Sequence, residues 1–96
     1  MRAKLILHEK NVDERNNIVE MKIWQLPQPT FDSPAGFKYS LVYIDHNVRV
    51  IGYDNAEGKG DHRHIKGREE SYRFHSLRKL VADFFKDIDR YKGGKL

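Results

Sequence analysis

The C-terminal part of the chain carries the most constraining pattern in the sequence, an apolar stripe with helical spacing. Its apolar residues fall at i, i+3, i+4, i+7, i+8 and i+11: Leu77, Leu80, Val81, Phe84, Phe85 and Ile88. This spacing places them on one face of an α-helix. Ser76 suits an N-cap and Gly93-Gly94 suits a helix end, so we expect a helix over about 76–92. Such a stripe has to be buried against another element.

The preceding residues supply that partner, because their apolar positions alternate with the period of a half-buried strand. We predict strands over about 3–10, 17–26, 36–46 and 48–54. All 3 prolines lie between positions 27 and 34, and this stretch is predicted to be a loop because proline cannot donate to a sheet ladder. Residues 45–47 favour a short hairpin turn. Residues 54–75 lack a clean period and are predicted to be irregular, with room for a short fifth strand near 72–74.

These elements predict an α+β fold, in which an antiparallel meander of four to five strands packs against one C-terminal helix. The 96 residues suffice for a single domain over 1–96. The chain has no cysteine, which excludes a disulfide framework, a thiolate zinc site and a cysteine nucleophile. No apolar run approaches the roughly 20 residues that cross a bilayer. The apolar stretch near the basic N-terminus is too short for a signal peptide, so we expect a cytoplasmic protein without a membrane partner.

The net charge of +4 and the pI of about 9.4 favour an anionic partner. Nucleic acid is the commonest such partner for a small cytoplasmic domain. Many basic domains bind no polyanion, so the net charge alone is a weak indication of nucleic-acid binding.

Residues 53–75 form the segment with the most chemistry, because they mix histidines, cations and carboxylates. In an extended backbone His62 and His64 point to one side and Arg63 to the other. Two imidazoles could act as general base and general acid near neutral pH, with Asp61 orienting one of them. Together with nearby cations, these groups are enough for metal-free RNA cleavage, in which the ribose 2′-hydroxyl attacks the adjacent phosphorus. The predicted substrate-binding residues comprise three cations that hold phosphate and two rings that position or stack on a base: Lys59, Arg63, Arg68, Tyr53 and Tyr72.

Two other interpretations of this segment remain open. The histidines, together with Asp54 or Asp61, could bind a divalent transition metal. Alternatively, the same side chains only cap and brace a loop, and the tyrosines belong to the edge of the core. A lone His-x-His pattern does not decide between these three.

Four stretches of the chain resemble a known family. They are Val19 to Pro27, Val48 to Asn55, Gly58 to His64, and the pieces Arg68-Glu69-Glu70 and Tyr72-Arg73-Phe74. Over nearly the whole chain, the sequence is similar to the small TumE-type toxins of bacterial and archaeal toxin–antitoxin modules. The resemblance implies a growth-inhibiting toxin with a cognate antitoxin, often one with a helix-turn-helix DNA-binding domain. It implies no catalytic residues.

The function expected from these observations is that of a toxin acting as a metal-independent endoribonuclease, with RNA as substrate and no cofactor. The ribonuclease step is an analogy, since small basic toxins are often ribonucleases and likeness alone does not fix function. The alternative is a non-catalytic inhibitor of growth that binds nucleic acid or protein. Group transfer to a nucleotide or a tRNA end ranks last, because the chain lacks a recognisable Gly-rich nucleotide loop.

Overall fold

The fold is a six-stranded antiparallel sheet followed by one helix. A computed structural model describes residues 2–55, 58 and 60–96. The elements, in chain order, are β1 (Lys4–Val12), β2 (Ile18–Gln25), β3 (Phe37–Asp45), β4 (Val48–Asp54), β5 (His62–Ile65), β6 (Arg68–Ser71) and α1 (Leu77–Lys92). The strands lie side by side in this order, and each pairs antiparallel with the next. The α+β class and the antiparallel sheet with a C-terminal helix are confirmed, but the predicted number of four to five strands is wrong.

The additional strands form a hairpin inside the stretch that was predicted to be irregular. β5 and β6 have 4 residues each, too few to display a period. Lys66 and Gly67 join them with φ of 49° and 85°, which matches a two-residue type I′ turn. Residues 72–74 do not form a strand, and the Phe74 ring instead stacks on Tyr39 with centroids 5.8 Å apart.

The core lies between one face of the sheet and α1, because both elements bury their apolar residues there. Alternate residues of β2 and β3 are buried, and so are Leu80, Phe84 and Ile88 of the helix. Ser76 caps the helix by accepting a hydrogen bond from the Lys79 backbone N–H at 3.1 Å. Phe85 is 40% exposed, so the buried stripe is narrower than the sequence predicts.

The opposite face of the sheet, here called the open face, is not covered by α1. It consists of the residues that alternate with the core positions, namely Leu5, His8, Lys10, Val12, Ile18, Glu20, Lys22, Trp24, Lys38, Ser40, Val42, Ile44, Arg49, Gly52, Asp54, His62, His64, Glu69 and Ser71. Over the described ranges, α1 is the single helix, so no second helix covers this face. None of the described helical structure is both long and apolar enough to span a membrane.

Candidate functional site

The pairing of β4 with β5 builds a cluster of titratable side chains on the open face. Asp54 lies opposite His62, and Gly52 lies opposite His64. Because side chains alternate along a strand, both imidazoles point to the open face and Arg63 points towards α1, as the spacing predicts. The two imidazole rings lie with their centroids 5.3 Å apart and their planes at 76°. The sheet register therefore brings the two histidines together.

His62 is held by hydrogen bonds at both ring nitrogens. Its Nδ1 lies 3.0 Å from the backbone oxygen of Gly60, and its Nε2 lies 2.8 Å from Oδ1 of Asp54. A carbonyl oxygen can only accept, so Nδ1 donates its hydrogen to Gly60, and Nε2 faces the Asp54 carboxylate. The His62 side chain is 8% exposed, which restricts its orientation further. The two contacts therefore hold the His62 ring in place between Gly60 and Asp54.

His64 lies in a different electrostatic environment. Burial lowers its pKa below the ordinary value of 6.5, and the positive charge of Arg49 lowers the pKa further. Glu69 opposes this effect, but its carboxylate oxygen lies 3.7 Å from His64 Nε2, which is too long for a hydrogen bond. At neutral pH His64 is therefore a neutral imidazole that can accept a proton.

Arg49 belongs to this cluster, although the sequence interpretation did not include it. Its side chain lies across Gly52, because a Cβ added to that glycine would come within 3.0 Å of the Arg49 Cδ. Gly52 faces His64 across the strand pair, so the close approach brings the guanidinium towards the histidines. A glycine inside an alternating strand often marks a place where another group approaches closely, and this signal could have pointed to the site.

Arg63 and Tyr53 lie on the other side of the sheet from the histidines. Nη1 of Arg63 lies 3.1 Å from Oδ2 of Asp87 on α1 and 3.3 Å from the Tyr53 hydroxyl. Its Nε donates to Glu70, and the Tyr53 hydroxyl donates to Asp87. Burial raises the Tyr53 pKa, and its hydrogen bond to Asp87 raises it further, so the phenol stays protonated. Neither side chain is directed at a phosphate beside the histidines.

Asp61 and Tyr72 are also engaged away from the two histidines. Oδ1 of Asp61 accepts a hydrogen bond of 2.6 Å from the Tyr39 hydroxyl, which belongs to the helix side of the sheet. The carboxylate that contacts His62 is therefore that of Asp54 and not that of Asp61. The Tyr72 hydroxyl donates to Asp83 of α1 at 2.6 Å, so this ring braces the helix.

The last two predicted cations are placed differently. Arg68 is exposed on β6 and lies opposite Ile65, on the side of the sheet that the histidines do not share. Lys59 falls outside the described residues. Among the described residues, the cation that lies beside the histidines is thus Arg49.

The open-face cluster also has the composition of a metal site. One ligand atom from each of Asp54, His62 and His64 can be chosen so that all lie within 4.8 Å of one another. Two imidazoles and a carboxylate suit divalent transition metals. These residues could therefore hold such an ion, whereas Asp61 is not part of the group.

Comparisons with known proteins identify the family. No curated protein and no solved structure matches the chain. The family model described as toxin TumE matches residues 2–92, which include every strand, the helix and both histidines of the cluster. The chain therefore belongs to the TumE toxin family, which makes it the toxin of a toxin–antitoxin system with a cognate antitoxin as its partner.

Proposed function

We propose that this toxin is an endoribonuclease that uses His62 and His64 for acid–base catalysis without requiring a metal. The observation that carries the proposal is the pair of imidazoles on the open face, with ring centroids 5.3 Å apart. One ring contacts a carboxylate, whereas burial and a nearby cation lower the pKa of the other. Two titratable groups with such different environments are suited to opposite roles in proton transfer.

In the proposed reaction, neutral His64 accepts the proton of a ribose 2′-hydroxyl. The freed oxygen attacks the adjacent phosphorus, and the bond from phosphorus to the 5′-oxygen breaks. The imidazolium of His62 gives its Nε2 proton, which it otherwise shares with Asp54, to the leaving 5′-oxygen. The products are one strand that ends in a 2′,3′-cyclic phosphate and one that begins with a 5′-hydroxyl.

Two further residues support this reaction. Arg49 neutralises the charge that develops on the non-bridging phosphate oxygens, since a guanidinium can bind phosphate with two hydrogen bonds. Asp54 orients the His62 ring and takes the role that the sequence assigned to Asp61. The cytoplasm is the expected place of action, and Lys59 remains a proposed phosphate ligand because the described residues leave it untested.

The test replaces each histidine separately with alanine. His64→Ala and His62→Ala should each reduce RNA cleavage by roughly a hundredfold or more, and both should abolish growth inhibition. His75→Ala serves as the matched control, because His75 is exposed and lies between β6 and α1. Circular dichroism shows whether each variant folds. A folded His64→Ala variant that cuts RNA as fast as the parent would contradict the proposal.

A metal-dependent nuclease is a second candidate, because the cluster of Asp54, His62 and His64 also suits a transition metal. Adding EDTA distinguishes the two mechanisms. Cleavage that survives EDTA and leaves a 2′,3′-cyclic phosphate supports the histidine mechanism. Cleavage that is lost in EDTA and restored by a divalent ion supports the metal-dependent mechanism. If the wild-type toxin binds RNA in a salt-dependent manner without cutting it, the non-catalytic inhibitor is the better description.

A further inference from the structure

The register of the sheet extends the histidine cluster into a row across the open face. Cross-strand partners connect His8 on β1, Lys22 on β2, Ser40 on β3, Asp54 on β4 and His62 on β5. Neighbouring strands are about 4.8 Å apart, so Lys22 lies three strand spacings, or about 14 Å, from His62. A short piece of an extended polymer could therefore contact both residues at once.

An aromatic ring lies next to this row. Trp24 follows Lys22 by two positions in β2, so both side chains point to the open face. The indole is half-buried, and Nζ of Lys38 lies 5.7 Å from its ring centroid. Aromatic rings beside cations are the elements with which proteins bind single-stranded nucleic acid, because the ring stacks on a base and the cation binds phosphate.

The charges on this part of the open face favour a polyanion. The face of β1 to β3 carries the lysines Lys10, Lys22 and Lys38, and its carboxylate is that of Glu20. That carboxylate lies 3.0 Å from His8 Nε2 and 3.9 Å from Lys22 Nζ. Glu20 is thus already balanced, and the surface keeps an excess of positive charge. Lys22 remains 39% exposed and accessible to a ligand.

We propose that a single-stranded RNA segment binds across the open face, from Trp24 and Lys22 to the pair His62 and His64. This proposal rests on the proposed ribonuclease function and names the surface that binds its substrate. The ligand is single-stranded because a ring on a flat sheet can stack only on a base that is not paired within a helix. Charge complementarity favours RNA over a protein segment for this face.

The test measures RNA binding in the His64→Ala background, where cleavage cannot remove the ligand. The probe is a short fluorescent single-stranded RNA of mixed sequence, titrated at several salt concentrations. Trp24→Ala should weaken binding roughly tenfold or more, as expected for the loss of one stacked base. Lys22→Gln should reduce the slope of log affinity against log salt by about 0.7. Lys86→Gln is the matched control, because Lys86 is exposed on α1, which packs on the other face.

The outcomes separate this inference from the proposed function. If Trp24→Ala and Lys22→Gln bind RNA as tightly as the parent while the wild-type toxin cleaves it, the binding surface is wrong although the ribonuclease stands. If both variants lose binding but the wild type cuts no RNA, the surface is confirmed and the catalytic proposal fails. Loss of antitoxin binding with unchanged RNA binding would assign the face to the antitoxin. Tighter binding of a duplex than of a single strand would also overturn the inference.

Discussion

Replacing Arg63 with alanine tests whether the polar residues between the sheet and α1 stabilise the fold rather than bind RNA. The Asp87 side chain is 5% exposed, and Nη1 of Arg63 lies 3.1 Å from its carboxylate. The Tyr53 hydroxyl donates to the same oxygen. Arg63→Ala removes the cation and leaves Asp87 buried with a neutral donor. The variant should therefore lose stability, whereas it would lose RNA cleavage instead if Arg63 bound the phosphate of the substrate.

The size of the loss follows from the burial of the two partners. Removing one partner of a buried ion pair costs about 3–5 kcal/mol, because the remaining charge is left uncompensated. Arg63 is 32% exposed, so water already screens part of this interaction. We therefore expect a loss of about 2–4 kcal/mol. For a domain of this size, 1 kcal/mol lowers the Tm by about 4–8 °C, which gives a decrease of roughly 10–30 °C.

The assay is thermal and urea denaturation followed by circular dichroism. Arg63→Ala is compared with Arg68→Ala, which removes an exposed arginine from β6 and should change stability little. In an Asp87→Asn background the same Arg63→Ala change should cost much less, because no buried charge remains to be neutralised. If Arg63→Ala melts within a few degrees of the parent and yet loses RNA cleavage, Arg63 contacts the substrate and the reasoning is refuted.

Two further predictions concern other charged groups. Arg49→Gln should raise the pKa of His64 towards 6.5, because the substitution removes a cation that disfavours the imidazolium. The acidic limb of the pH profile of kcat/KM should then move to higher pH, and an unchanged His64 titration by NMR would contradict this. Burial opposes ionisation of Asp13, but hydrogen bonds from Tyr43 and the Asn17 N–H outweigh it and hold the folded pKa well below 3.8. The contribution of the Asp13 carboxylate to the free energy of unfolding is therefore present above pH 3.8 and is lost as the pH falls through the folded pKa. Asp13→Ala should accordingly lower stability by about 1–2 kcal/mol at pH 7 and by less near pH 2. Equal urea midpoints for parent and variant at pH 7 would refute it.

The sequence predicted the elements that carry a complete period of their own. The stripe from Leu77 to Ile88 predicts a helix because its spacing repeats over several turns, and the structure has α1 at Leu77–Lys92. β5 and β6 were missed because strands of 4 residues contain too few alternations to show a period. These two strands form through pairing with β4 and with each other, which a local pattern does not contain.

The sequence predicted those features of the candidate site that depend on the spacing of residues within one strand. The spacing of His62 and His64 is enough to place both rings on one side of an extended strand. Their partners come from β4 through the sheet register, so sequence proximity pointed to Asp61 whereas the structure brings Asp54 to His62. Arg49 is further away in the sequence, and only the absence of a side chain at Gly52 hinted at its approach.

The alternation along β4 and β5 separates polar residues that hold the fold from those that can act on a ligand. On the side facing α1, Arg63 and Tyr53 have their polar groups bonded to Asp87 within a buried network. The histidine cluster lies on the open face, which α1 does not cover, and so it is separate from the core between the sheet and the helix. Substitutions on the α1 side should therefore reduce stability first, whereas conservative substitutions on the open face should reduce toxicity in a protein that still folds. Single substitutions along these two strands should consequently lower stability and toxicity at alternating positions, stability on the α1 side and toxicity on the open face. If toxicity fell only in the variants that lose stability, the open face would have no separate function.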